Sequence, residues 1–258
     1  MELLKLATRR SGWSELLYVA LNLAYAAALL TLVLLFNPPW IAYLVVILSK
    51  WRTFAVRPRY WFANLQANLV DALVVGSFVT LMWRADTNLW LQIVLTILLA
   101  VWLTFIKPQS KRQWILIQAL VCQAVSLIAL FSLAYHTIAS VVVVAAWLIG
   151  YSAARHALSS YNEESDRTLL SLAWSLLIAE LSWLGYHWTI AYTIYDQVKV
   201  PEVAVTTSLI GFLAVKIYET YRSDDKHWFK ELRWPVVFVV FVILTLLVLF
   251  NGLDPTQL

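Results

Sequence analysis

The most constraining feature of this sequence is a succession of apolar runs, each close to the ~20 residues that a helix needs to cross ~30 Å of hydrocarbon. They fall at about 15–36, 38–54, 60–83, 88–106, 114–133, 137–157, 168–190, 201–220 and 234–251, and the connections between them are too short to fold as soluble domains. In lipid each backbone amide has to be paired inside its own segment, so runs of this kind must be helices. The expected fold class is therefore all-α: a polytopic integral membrane bundle of nine spans, a single transmembrane domain over residues 1–258 with no soluble domain. The second span is the least regular. Lys50 and Arg52 shorten its apolar part, so it has to reach the interface by snorkelling, while Pro38-Pro39 after Asn37 ends one helix and suits the first turn of another.

Charge gives the orientation. Placing the N-terminus in the cytoplasm puts Lys5, Arg9 and Arg10, then Lys50, Arg52, Arg57 and Arg59, then Lys107, Lys111 and Arg112 on the inner side. Arg155 and Arg167 follow, and finally Lys216, Arg222, Lys226, Lys230 and Arg233, which makes 17 of the 19 basic residues. Only Arg84 and Lys199 remain outside. An asymmetry of this size follows the positive-inside rule and sets the N-terminus inside and the C-terminus outside. The net charge of +4 therefore reports insertion topology and not nucleic-acid binding, because no loop gathers a basic patch.

Composition agrees: 62% of residues are hydrophobic and 13% charged, against about half and a quarter in soluble domains. Most of the 14 tryptophans stand near the ends of the apolar runs, where amphipathic rings anchor at headgroup level. The stretch Ala24-Tyr25-Ala26 resembles a signal-peptide cleavage site, but the apolar run continues to Phe36, so a retained anchor is expected. Cys122 is the single cysteine, which leaves no internal disulfide and no cysteine-rich metal site.

Against this background the polar residues inside the spans demand explanation. Asn64, Asn68 and Asp71 are spaced to share one helix face, and Asp71 falls roughly 16 Å into its span. A charge there costs on the order of 3 kcal/mol if it meets lipid. Glu180 repeats the situation roughly 18 Å into the seventh span, so the two carboxylates are expected to share a polar site. Gln118, Cys122 and Ser126 line one face of the fifth span with Gln123 beside them, and Ser171, Ser175 and Ala179 form a small-residue ridge on the seventh. Arg57 and Arg59 flank Pro58 between two tryptophans, a setting suited to lipid phosphates as well as to ordinary inside charge. Lys216 lies near a helix end within reach of Glu219, and His136 and His187 have no third ligand that would make a metal site.

No GxSxG, HExxH or Walker-type glycine loop is present, and the six glycines include no GxxxG pair. Three functions stay open. The first is a small carrier or permease, proton- or cation-coupled, whose mid-membrane site for a small polar solute, cation or proton holds Asp71, Glu180, Asn64, Asn68 and Gln123. The second is a non-catalytic scaffold or complex subunit that pairs with another membrane protein or with itself. The third is an intramembrane enzyme on a lipid or isoprenoid, with Asp71 or Glu180 as general base and Arg57 or Arg59 on a phosphate. No cofactor, metal or nucleic-acid partner is expected; the partner common to all three is the lipid bilayer, with a bacterial plasma membrane as the default location.

Overall fold

The computed structural model describes residues 12–249 except 52–54, 56, 87, 135–136, 162–163, 189–190, 196–197 and 223–227. The elements in order are α1 (Gly12–Leu35), α2 (Trp40–Leu48), a 3-10 turn (Pro58–Tyr60), α3 (Trp61–Arg84), α4 (Leu89–Val101) continued by a π-helical turn (Trp102–Ile106), α5 (Arg112–Ala134), α6 (Ala139–Ser159), α7 (Arg167–His187), the strands β1 (Ala191–Tyr195) and β2 (Val198–Pro201), α8 (Glu202–Arg222) and α9 (Trp228–Leu249). Among the described residues seven helices are long and apolar enough to cross a bilayer, in α1, α3, α4 with its π turn, α5, α6, α7 and α8. The protein is an integral, multi-pass helical membrane protein. Its surface is made accordingly: Trp13, Leu16, Leu17, Leu176 and Phe241 are all well exposed, as side chains facing acyl chains should be.

The chain forms two compact units, Met1–Trp114 and Ile115–Leu258. In the first, α2 differs from the span expected at 38–54. It is a helix of nine residues, about 13.5 Å long and roughly half a bilayer. Its contacts with α3 form an antiparallel ladder. Trp83 Nε1 donates to Asn37 Oδ1 at 2.9 Å, the Tyr43 and Thr80 hydroxyls are 2.8 Å apart, and Lys50 pairs with Asp71. From Asn37 to Lys50 the chain thus runs alongside α3 from Trp83 back to Asp71.

α4 runs back along α3. Asn88 caps it by accepting from Leu91 N at 3.0 Å, and the buried Gln92 donates from Nε2 to Met82 O at 3.0 Å. At its far end Trp102 meets Asp71, and the Tyr18 hydroxyl of α1 donates to Leu103 O at 3.0 Å inside the π turn.

The second unit is organised by α6 and α7. Ser171, Ser175, Ile178, Ala179 and Ser182 are buried on one side of α7, and they face Val142, Ala146, Ile149, Gly150 and Ala153 of α6. A Cβ placed on Gly150 would stand 3.0 Å from Ile178 Cβ and 3.1 Å from Ser175 Cα, so the two backbones approach as closely as small residues allow. Between α7 and α8 the strands pair antiparallel with Ala191 opposite Pro201, a hairpin in the connection between these two helices.

This packing makes a direct prediction. Gly150→Ala forces α6 and α7 apart and lowers stability by about 1–3 kcal/mol in detergent thermal unfolding. Gly76→Ala, where an added Cβ meets nothing within 4 Å, leaves stability unchanged or raises it.

Candidate functional site

Two places in the molecule gather polar chemistry, one in each unit. In the first, the Asp71 carboxylate receives an ion pair from Lys50 and a second from Lys107, whose Nζ is 2.8 Å from Oδ2. Trp102 Nε1 donates to the other oxygen, Oδ1, at 3.3 Å. The side chains are graded in exposure, 12% for Asp71, 16% for Lys50 and 38% for Lys107, so the cluster opens toward Lys107.

Local folding explains how three distant charges meet. α2 stops at Leu48, where Ser49 N bonds Val45 O at 2.9 Å and Lys50 N bonds Ile47 O at 3.0 Å, which leaves Lys50 just past the helix end. A helix C-terminus carries partial negative charge and favours a cation at that position. The π turn widens the end of α4, aims Trp102 inward and lets Lys107 follow immediately after it.

Asp71 and Glu180, expected to share a polar site, belong to different units, and inside its own unit Asp71 is held by two lysines and a tryptophan. Asn68 is half-buried and donates from Nδ2 to the backbone Asn64 O at 2.8 Å, a bond within one helix. Glu180 is exposed on α7, beside Leu176, Trp183 and Leu184. Among the described residues nothing pairs with it. Arg57 and Arg59 are exposed, and the Arg59 guanidinium lies over the Tyr60 ring at 4.6 Å. Lys216 pairs locally with Glu219 at 2.9 Å. His187 packs edge-on against Trp183 and Tyr186, and His136 lies outside the described residues.

In the second unit Gln123 is 2% exposed and both ends of its amide are engaged. Its Nε2 donates to Thr207 O of α8 at 2.9 Å, and its Oε1 accepts from Trp174 Nε1 of α7 at 2.9 Å. One side chain of α5 thereby ties two other helices. It also closes the inner end of a cavity of about 200 Å³ between α5, α6, α7 and α8. The walls are small and apolar, with Ala119, Ala153, Ala154, Ala157, Gly211 and Ala214 leaving the space open. At another point of the lining Tyr161 and Tyr218 meet edge to face at 4.7 Å, with the Tyr218 hydroxyl on Glu164. Arg167 anchors this rim by donating to Tyr161 O at 2.7 Å and Glu164 O at 3.1 Å.

Sequence reasoning missed two contacts. His156 Nε2 stands 2.8 Å from Gln118 Oε1, joining α6 to α5, and Trp174 completes the Gln123 bridge. Neither has a local signal, because each depends on which helix faces which. Compared with protein-family models, curated proteins and solved structures, the chain matches none of them.

The Gln123 bridge carries a measurable load. Gln123→Leu leaves the Trp174 N–H and the Thr207 carbonyl with lost partners in an apolar interior and lowers stability by about 2–4 kcal/mol. Gln123→Glu keeps the acceptor for Trp174 and removes the donor to Thr207. Thermal unfolding in detergent checks both.

Proposed function

We propose that this protein is a carrier-like membrane protein for a small amphiphile, and that the hydrocarbon part of the ligand occupies the cavity of the second unit. The cavity carries the reading. At about 200 Å³ it is smaller than pockets for drug-sized polar molecules, and it is comparable to apolar cavities of ~150 Å³ that stay dry and take benzene-sized ligands. A hydrated ion or polar solute would find almost no partners there. The single amide in the wall, Gln123, is already bonded at both ends.

Proton coupling through Asp71 receives less support, because both oxygens of its carboxylate are already engaged, one by Lys50 and Lys107 and the other by Trp102. The excess of basic residues on alternate connections supports nine crossings with the N-terminus inside and the C-terminus outside. The antiparallel ladder of α2 on α3 supports the second crossing, although only half of it is helix.

A second reading, a subunit of a membrane assembly, is favoured by Glu180. Its carboxylate is exposed on an apolar helix side, where burial in lipid costs on the order of 3 kcal/mol unless a donor covers it. The fitting partner is a transmembrane helix bearing a hydrogen-bond donor. Glu180→Leu would abolish such a complex while leaving the chain folded, since among the described residues nothing pairs with Glu180.

Filling the cavity separates the two. In the carrier reading Ala157→Phe and Ala214→Leu reduce occupancy by a fluorescent fatty-acid probe at least ten-fold with the fold retained. Probe binding that is indifferent to both variants would remove the cavity as the ligand site. The assembly reading expects that indifference, together with a change in oligomeric mass on Glu180→Leu.

A further inference from the structure

One face of α7 is exposed along its whole length. Leu169, Ala173, Leu176, Glu180, Trp183 and His187 follow one another at alternating steps of four and three, and each is exposed. That alternation is the seam of two helices packed knobs-into-holes, the usual geometry between transmembrane helices. The seam lies opposite Ser171, Ser175, Ile178 and Ser182, which are buried, so a second helix can be added without displacing α6. Two residues of the seam ask for more than acyl chains. The Glu180 carboxylate is an acceptor and the Trp183 indole N–H a donor, both lining a groove with Val143, Leu176 and Leu184. Among the described residues neither has a hydrogen-bond partner. A lipid tail supplies none.

We infer that a second copy of this chain covers the outer face of α7, in a parallel two-fold pair where Trp183 of each copy donates to Glu180 of the other. Helical geometry makes the two residues self-complementary. Three residues advance about 300°, which sets Trp183 about 60° to one side of Glu180 across the seam. Copies of one chain insert in one orientation, so the two-fold axis runs along the membrane normal. That axis brings the Trp183 side of one helix onto the Glu180 side of the other. Each carboxylate therefore meets the other copy's N–H, and the two carboxylates stand on opposite sides of the axis. Trp183 lies about 4.5 Å further along the helix, and helical side chains lean toward the N-terminus, which brings its ring back to the level of Glu180. The inference rests on the assembly reading of Glu180 and names the partner; it is independent of the cavity.

Disulfide cross-linking in native membranes and native mass spectrometry of the purified full chain test this. Leu176→Cys, on the seam, forms an intermolecular disulfide about five-fold or more faster than Leu177→Cys, which is also exposed but about 100° further round the helix. Ala173→Cys repeats the result one turn earlier. The buried Cys122 leaves the parent chain as the blank. In mild detergent the parent is dimeric. Trp183→Phe, which keeps a ring and removes the N–H, weakens the dimer about five-fold or more, the scale of an interhelical hydrogen bond in a bilayer. Glu180→Leu does the same, while Glu180→Gln, which keeps an acceptor, stays within about two-fold, each with its unfolding temperature retained. The inference is overturned if Leu176→Cys and Ala173→Cys cross-link no faster than Leu177→Cys, or if Trp183→Phe dimerises like the parent. A chain that never pairs with itself, yet loses a different membrane protein on Glu180→Leu, overturns the inference and keeps the assembly reading. A chain that does neither removes both.

Discussion

An unsatisfied polar group in hydrocarbon costs several kcal/mol, and several polar side chains of this bundle have arrangements that answer that cost, whereas the hydroxyls of Ser152 and Ser182 are buried with no hydrogen-bond partner among the described residues. The commonest is local. Thr80, Thr96, Thr104, Ser171, Thr207 and Thr220 each donate to the carbonyl four residues before, so a hydroxyl can sit in a membrane helix without seeking another helix. Asn22 and Asn68 do the same with their amide nitrogens, but the buried glutamines reach further. Gln92, Gln118 and Gln123 each reach a different helix, and those bonds fix which helices are neighbours. The charged group goes further: Asp71 draws the ends of α2 and of the π turn onto α3, so the first unit is arranged around a single carboxylate.

Much of this was legible in the sequence, and the part that was not has a physical reason. Hydropathy over ~20 residues is a one-dimensional signal, and it located the helices because a bilayer imposes one length on them. It also marked α2 as irregular, through Lys50 and Arg52. What it could not show is where a lysine's flexible stem would lead. Counting Lys50 and Lys107 as loop charges treats them as pointing to water, whereas both turn toward Asp71, where an opposite charge outweighs hydration. Depth along a helix was read well enough to flag Asp71, but depth carries no information about which neighbour stands opposite.

Glu180 makes the same point from the other side. Its depth is close to that of Asp71, and depth was the ground for expecting one site. Angle adds which way the side chain faces. Glu180 lies two residues beyond Ile178, about 200° round the helix, while Ser171, Ser175, Ile178 and Ser182 form the buried side. A small-residue ridge marks the face that packs, so a carboxylate opposite that ridge belongs outside the helix pair. The ridge was visible in the sequence, and combined with helical geometry it carried the exposure of Glu180 as a consequence.

The apolar cavity obeys a different economy from the charge cluster, and this bears on how it could select a ligand. A hydrocarbon chain inside a membrane protein replaces contacts with lipid, which is equally apolar, so transfer from the bilayer supplies little net driving force. What remains is packing and the penalty of leaving a void, since walls facing empty space forfeit their dispersion contacts. Neighbouring acyl chains can relieve that penalty as well as a specific ligand can. Discrimination must therefore arise where polar groups meet the cavity, and at Gln123 the amide is already engaged by Trp174 and Thr207. In the carrier reading proposed above, the selective part is then the rim at Tyr161 and Tyr218, where Glu164 and Arg167 place a carboxylate and a guanidinium beside the aromatic pair. A ligand recognised there carries a headgroup able to exchange hydrogen bonds with those side chains, and its tail contributes occupancy more than identity.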